Sequence, residues 1–203
     1  AGTFSTPQAV DFCAVVSANA QPSTTLRFQM GAFDSGAVPF IKPAITRYDG
    51  LYHSHLELPS PQTTTDFTLT VAHPGMFEAS LLILGQKIQP NRYYDRSSME
   101  FGLEDLGAAA IERNGVWNSA RGPKLRSVGM TLQSQNEDEW EQKFRPMIEQ
   151  VGNTEPVYCC FDPEETTYRQ NRTYYGTFRQ PPAVTSRPKP GVYGGDYQIL
   201  SLI

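Results

Sequence analysis

Thr24-Thr25-Leu26-Arg27-Phe28-Gln29-Met30 places Leu26, Phe28 and Met30 on one side of an extended chain and Thr25, Arg27 and Gln29 on the other. A period of two with one apolar side is the pattern of a half-buried strand, because successive side chains of a strand point to opposite faces. Asp66-Phe67-Thr68-Leu69-Thr70-Val71 repeats it, with Phe67, Leu69 and Val71 inward. Residues 10–16 set Val10, Phe12, Ala14 and Val16 on one face. Residues 76–84 are nearly continuously apolar, which predicts a central strand covered on both sides. Phe33-Asp34-Ser35-Gly36 and Leu58-Pro59-Ser60-Pro61 separate these runs as turns. Short alternating strands at this spacing predict a jelly-roll-like β-sandwich over residues 1–89.

The composition agrees. Of 203 residues, 16 are Gly, 16 Pro, 10 Tyr and 11 Phe, which favours short pleated elements broken by turns. No run approaches the roughly 18 apolar residues of a membrane-spanning helix, so a soluble chain with no membrane span is expected. The first residues, Ala1-Gly2-Thr3-Phe4-Ser5-Thr6-Pro7, have neither the basic cluster nor the apolar core of a signal peptide, and Ala1 fits removal of an initiator methionine. The net charge of -4 argues against nucleic acid as a partner, since phosphate recognition needs a basic surface. Three cysteines, two of them the adjacent Cys159-Cys160, are too few for a disulfide framework and read as reduced or packed thiols.

Charge density divides the chain. Residues 1–89 hold 4 basic and 6 acidic side chains, whereas residues 90–203 hold 13 and 15. The seam is at Gln89-Pro90-Asn91, and the second part, residues 90–203, reads as a β-rich module with one helix near 135–151. Ser134 followed by Glu137 has the spacing of a capping box. Glu137, Asp138 and Glu139 suit the positive end of a helix dipole, and Trp140, Phe144, Ile148 and Val151 recur at helical intervals before Gly152. Pro146 lacks a backbone donor and is expected to kink this helix or split it. Strands are expected over 125–132, 156–161, 174–179 and 193–202.

No arrangement of catalytic residues emerges. His53 and His55, two apart on a strand, share a face and have a spacing that can bind metal. No further ligand is evident, and the ordinary reading is a pair of surface or rim histidines. Adjacent Cys159 and Cys160 point to opposite faces of a strand, which opposes joint ligation and a relaxed disulfide. No serine lies in a nucleophile elbow, and Gly191-Val192-Tyr193-Gly194-Gly195 precedes a strand, so it is a turn and not a phosphate loop. Glu104-Asp105 and Glu164-Glu165 read as solvated loop carboxylates; a glycosidase would need two carboxylates meeting in one cleft. No enzyme, metal or cofactor is therefore expected. Contact chemistry is better represented: Tyr93, Tyr94 and Trp117 lie among Arg92, Arg96, Arg113 and Arg121. Tyr, Trp and Arg are the types enriched at interfaces. Tyr93, Tyr94, Trp117 and Arg121 are the candidate partner contacts.

The order of elements is more specific than any of these motifs. Ile83-Leu84-Gly85-Gln86-Lys87-Ile88-Gln89-Pro90-Asn91 is followed by Tyr94-Asp95-Arg96-Ser97-Ser98, then by Arg121-Gly122-Pro123 with Arg126-Ser127-Val128-Gly129-Met130. Next come the Trp140 helix ending at Gly152, then Glu155-Pro156-Val157-Tyr158-Cys159-Cys160-Phe161-Asp162-Pro163, and Tyr174-Tyr175-Gly176-Thr177-Phe178 before a closing strand. Over roughly residues 66–203 this order resembles a family of tailed-phage structural proteins encoded in siphophage tail-tip clusters, the minor tail or distal tail proteins. The resemblance implies a non-enzymatic virion component at the tail tip or baseplate, made in the host cytoplasm. Its partners would be other tail proteins and copies of itself in a ring. A head decoration or fibre-attachment protein is the neighbouring expectation. A different class, a carbohydrate-binding module for the host surface, would use loops at one end of the sandwich, with Phe33, Tyr48 and Tyr52 as glycan contacts.

Overall fold

The structure, a computed structural model, describes residues 1–41, 46–47, 49–92, 94–111, 113, 115–164 and 167–202. It is mainly β, with several antiparallel sheets and one short helix, the fold class that the alternation predicts. The chain divides into two compact units. Unit 1 is Ala1–Lys87 with Cys160–Thr173, and unit 2 is Ile88–Cys159 with Tyr174–Ile203. The chain thus returns to unit 1 after most of unit 2 has been laid down.

Unit 1 is one antiparallel sheet built on two long strands, β1 (Gly2–Ala18) and β5 (Tyr52–Ala72). β2 (Thr25–Met30), β3 (Phe33–Asp34), β4 (Val38–Pro39) and β6 (Ala79–Gly85) complete it in the order β3-β2-β5-β1-β6, with β4 also beside β2. β5 is too long to be straight. Tyr52 and Val71 pack against the same buried cluster of Val15, Ala18, Leu26 and Phe40. Nineteen residues of straight strand would separate them by about 60 Å. The bend falls where the pairing slips. Thr3 faces Asp66 and Gln8 faces Thr64, so residues 4–7 bulge opposite Thr65 alone; Val10 faces Gln62 and Phe12 faces Glu57, so residues 58–61 oppose Asp11 alone. Pro7, Pro59 and Pro61 lie in these bulges, where no ladder donor is required. The sequence reads Leu58-Pro59-Ser60-Pro61 as a turn between strands; it is the corner of a single strand that folds the sheet into two sandwich-like layers. Phe28, Met30, Val10, Cys13 and Leu58 fill the space between them.

The strand covered on both faces is β1, whose residues 13–18 are all buried. The run at 76–84 is not that strand. β6 ends the strand order, Ala79 and Ser80 are exposed, and Leu81 and Leu82 on opposite faces are each more than a third exposed. A continuous apolar run has the same composition whether both its faces are covered or both are open, so periodicity alone cannot separate a central strand from an uncovered edge.

Unit 2 has a sheet in the order β11-β12-β14-β10-β7, formed by β7 (Glu100–Asp105), β10 (Lys124–Asn136), β11 (Val157–Cys160), β12 (Thr173–Phe178) and β14 (Val192–Ser201), with β13 (Ala183–Ser186) also on β14. β8 (Ala108–Ile111) and β9 (Trp117–Ala120) form a separate two-stranded sheet. The helix follows β10 directly. α1 (Glu137–Glu139) is capped by Asn136, whose side-chain oxygen accepts from the Glu139 amide at 2.7 Å. The cap is therefore not Ser134, because β10 continues through Gln135 and the first turn starts two residues later. A π-helical segment, Trp140–Phe144, leads into α2 (Arg145–Val151), the Arg145 amide reaching back five residues to the Trp140 carbonyl. That wider turn is the local response to Pro146, which has no N–H to donate and whose ring would crowd a carbonyl four residues back. Gly152, at φ 56°, ends the helix and donates to the Ile148 carbonyl at 2.8 Å.

Phe144 and Phe178 pack on Tyr197, and Trp140 stacks on Tyr193. Burial pushes the Tyr197 phenol up to about 12; Glu139 acts in the same direction and the hydrogen bond from Gln135 opposes it. A phenol raised from its ordinary 10 leaves stability intact below pH 10 and removes it as pH rises towards about 12, a loss of about 3 kcal/mol. Denaturant midpoints measured across this range should fall more steeply for the wild type than for Tyr197→Phe. Parallel curves would refute a buried neutral phenol.

Candidate functional site

The least covered part of unit 2 is a hairpin arm. β7 pairs with β10 from Glu100 opposite Gly129 to Asp105 opposite Lys124. Leu106 then donates its amide to the Pro123 carbonyl at 3.0 Å. Beyond that bond the two chains touch through glycine: a Cβ on Gly122 would lie 2.3 Å from the Gly107 nitrogen. This close approach is what Gly122 permits. From the neck the ladder continues into β8 and β9, with Ala108 opposite Ala120 and Ile111 opposite Trp117.

Every described residue from 106 to 121 is exposed, Ile111 at 70% and Trp117 at 63%. Phe101 and Leu103, at 63% and 61%, extend the same apolar character along β7, on the face that carries Val128 and Ile199 into the core. A two-stranded hairpin alone is marginal in water, and each large apolar side chain left uncovered forgoes about 1.5–3 kcal/mol of burial. Contiguous apolar exposure of this kind is uncommon on monomeric soluble proteins.

Of the candidate partner contacts, Trp117 is on β9 and Arg121 is exposed between β9 and the neck. Tyr94 is half-buried beside a short turn, away from the arm in sequence, and Tyr93 lies outside the described residues. In that turn Asp95 accepts from the Ser97 amide and hydroxyl at 2.9 and 2.7 Å and from Gln133, and these donors hold its carboxyl below the usual range. Ser98 accepts from the Thr131 amide at 3.1 Å, so the Asp95-Arg96-Ser97-Ser98 element fastens the turn to β10. Of the candidate glycan contacts, Phe33 packs against one core cluster of unit 1 and Tyr52 against the other; Tyr48 lies outside the described residues.

The histidines are not at a rim. His53 and His55 are 3% and 5% exposed, and residues from the returning segment help to cover them. Gln170 acts as a two-pronged strand substitute. Its side-chain oxygen accepts from the His53 amide at 2.9 Å, and its side-chain nitrogen donates to the His53 carbonyl at 2.7 Å. His53 Nδ1 accepts from the amide of Ser17, whose φ of 50° is the one positive value on a non-glycine among the described residues. Arg47 lies 3.2 Å from His53 Nε2 and Arg169 contacts His55 Nε2. Each guanidinium thus stands against one imidazole nitrogen, Nε2. Arg47 is paired at 2.8 Å with Asp49, whose carboxyl it holds below the usual range. The group is thus a polar lock inside unit 1, formed by side chains more than a hundred residues apart.

Other reactive groups do not converge. Among the described residues no three His, Cys, Asp or Glu side chains are grouped as metal ligands would be. Cys159 and Cys160 stand on β11 outside any disulfide, and burial raises the Cys160 thiol. Glu104 and Asp105 stand on the strand β7 and not in a loop. Glu104 is tied to Arg179 at 3.1 Å beside an open concavity of about 310 Å³ between β7, β10 and β14. Glu100, on the same concavity, is four residues away, about 13 Å along the strand and beyond the 5 to 9.5 Å that paired glycosidase carboxylates span. Among the described residues no helix is long and apolar enough to cross a membrane.

The arm itself is the feature that the sequence obscures. Residues 106–121 show no alternation, and every described residue among them is exposed, although Trp117 beside several arginines does flag the region. Comparison of the chain with family models, with curated protein sequences and with solved structures returned no match.

Proposed function

We propose that the protein is a non-enzymatic structural component of a tailed-phage virion, at the tail tip or baseplate, acting as a distal tail or adaptor protein that assembles with copies of itself and with other tail proteins. The observation that carries the reading is the arm of residues 106–121, exposed throughout its described part, with the adjoining β7 edge. It offers apolar contact area in Ile111 and Trp117. The order of sequence elements that resembles tail-tip proteins supplies the phage context, and the lock around His53 gives unit 1 a rigid body from which to act.

Purified particles of a phage or prophage encoding this chain test it. Mass spectrometry should find the protein at a fixed stoichiometry, and cryo-electron microscopy should place its density at the distal end of the tail. A chain absent from intact particles would defeat the proposal, and density on the capsid would move it to head decoration.

A further inference from the structure

Two edge strands of this chain match each other. In unit 1, β6 is the outermost strand of its sheet, carries no charge, and is preceded by exposed Glu78. In unit 2, β9 belongs to a two-stranded sheet, carries no charge, and is followed by exposed Arg121. We infer that β9 of one copy adds antiparallel to β6 of a second copy, Trp117–Ala120 running against Ala79–Leu82. This inference rests on the assembly reading above.

The register follows from charge. Antiparallel addition with Arg121 opposite Glu78 sets Ala120 against Ala79, Ser119 against Ser80, Asn118 against Leu81 and Trp117 against Leu82. Directly opposite residues share a face, so Trp117, Ser119 and Arg121 meet Leu82, Ser80 and Glu78 on one side. Small residues face small ones, the exposed indole covers an exposed leucine, and the one basic group meets the one acidic group. A slip of one residue would turn Trp117 to the opposite face and separate the charges. β7 is a poorer acceptor for a second copy of itself: Glu100, Glu104 and Asp105 would bring like charges together. Backbone pairing supplies the affinity and these side chains the register, as in strand addition to a sheet edge generally.

Because arm and acceptor are different surfaces, the contact is heterologous. Repetition gives a closed ring when the rotation per copy divides a full turn, and a filament otherwise.

The test uses the full-length chain. Ala79→Cys and Ala120→Cys are made as separate proteins, mixed and oxidised; their Cβ atoms would stand about 4.5–5.5 Å apart, so that a small adjustment allows a disulfide. A disulfide-linked dimer should form in the mixture and in neither variant alone above the wild-type background from the native cysteines. The double variant should give a ladder of linked copies. In sedimentation, Glu78→Arg and Arg121→Glu should each weaken self-association about fivefold, and the two together should restore it. No link in the mixture, a link closed within one chain, or a charge swap as weak as its single variants would each overturn the pairing. Wild type that self-associates without the link would leave the assembly reading standing, and presence in particles tests that reading separately.

Discussion

Gln170→Ala is expected to destabilise unit 1 by roughly 2–6 kcal/mol, the cost of leaving two buried backbone groups without partners. The amide and carbonyl of His53 sit in β5, and the Gln170 side chain serves both, at 2.9 and 2.7 Å. Alanine removes the acceptor and the donor together. Gln170 is itself buried, so water cannot readily replace either. Gln170→Glu should be nearly as damaging, since it keeps the acceptor but turns a carboxylate oxygen towards the His53 carbonyl. Both tryptophans, Trp117 and Trp140, belong to unit 2, so their fluorescence is a poor reporter of this loss. Circular dichroism during urea unfolding and hydrogen exchange at the His53 and Ser17 amides are the suitable measurements. Unchanged protection at both amides would show that the lock contributes nothing.

Excising residues 108–120, so that Gly107 joins Arg121, should have the opposite signature. The excised residues are exposed throughout their described part and bury little, so stability should change by about 0.5 kcal/mol or less. Gly107, Arg121 and Gly122 would remain as a three-residue hairpin loop closed by the Leu106 to Pro123 bond, a length that such loops commonly have. Self-association and incorporation into particles, in contrast, should be lost. The double substitution Ile111→Ser with Trp117→Ser removes the apolar contact without altering chain length and should give the same loss. An armless protein that assembles as the wild type does would refute a role for the arm.

These two results depend on features that differ in how far the sequence reveals them. Strand β2 is legible because one face meets a core and the other meets solvent, which is what alternation records. β6 is misread because its run of apolar residues matches a covered strand in composition. The arm is faint because residues open on both sides leave no periodic trace. The lock is invisible: His53 and Gln170 are 117 residues apart, and neither the charge seam near Gln89-Pro90 nor any local pattern shows that residues 160–173 rejoin unit 1. The helix was readable in extent but not in its start, since Ser134 and Asn136 offer equivalent caps and only the length of β10 chooses between them. Residue type alone singles out Trp117 and Arg121 as candidates, and no local pattern reveals the hairpin on which Trp117 stands.

The return of residues 160–173 to unit 1 sets a schedule for synthesis. A chain leaving the ribosome presents all of β1 to β6 by Lys87 but cannot close the lock until Gln170 follows. At about 5–20 residues per second that interval lasts about 4 to 17 s, during which the His53 amide and carbonyl await their partner. The arm is translated within the same interval. Unit 1 is therefore sealed only after the arm exists, and a product that stops between Arg121 and Gln170 carries both the exposed hairpin and an unsealed sheet, a combination open to proteolysis.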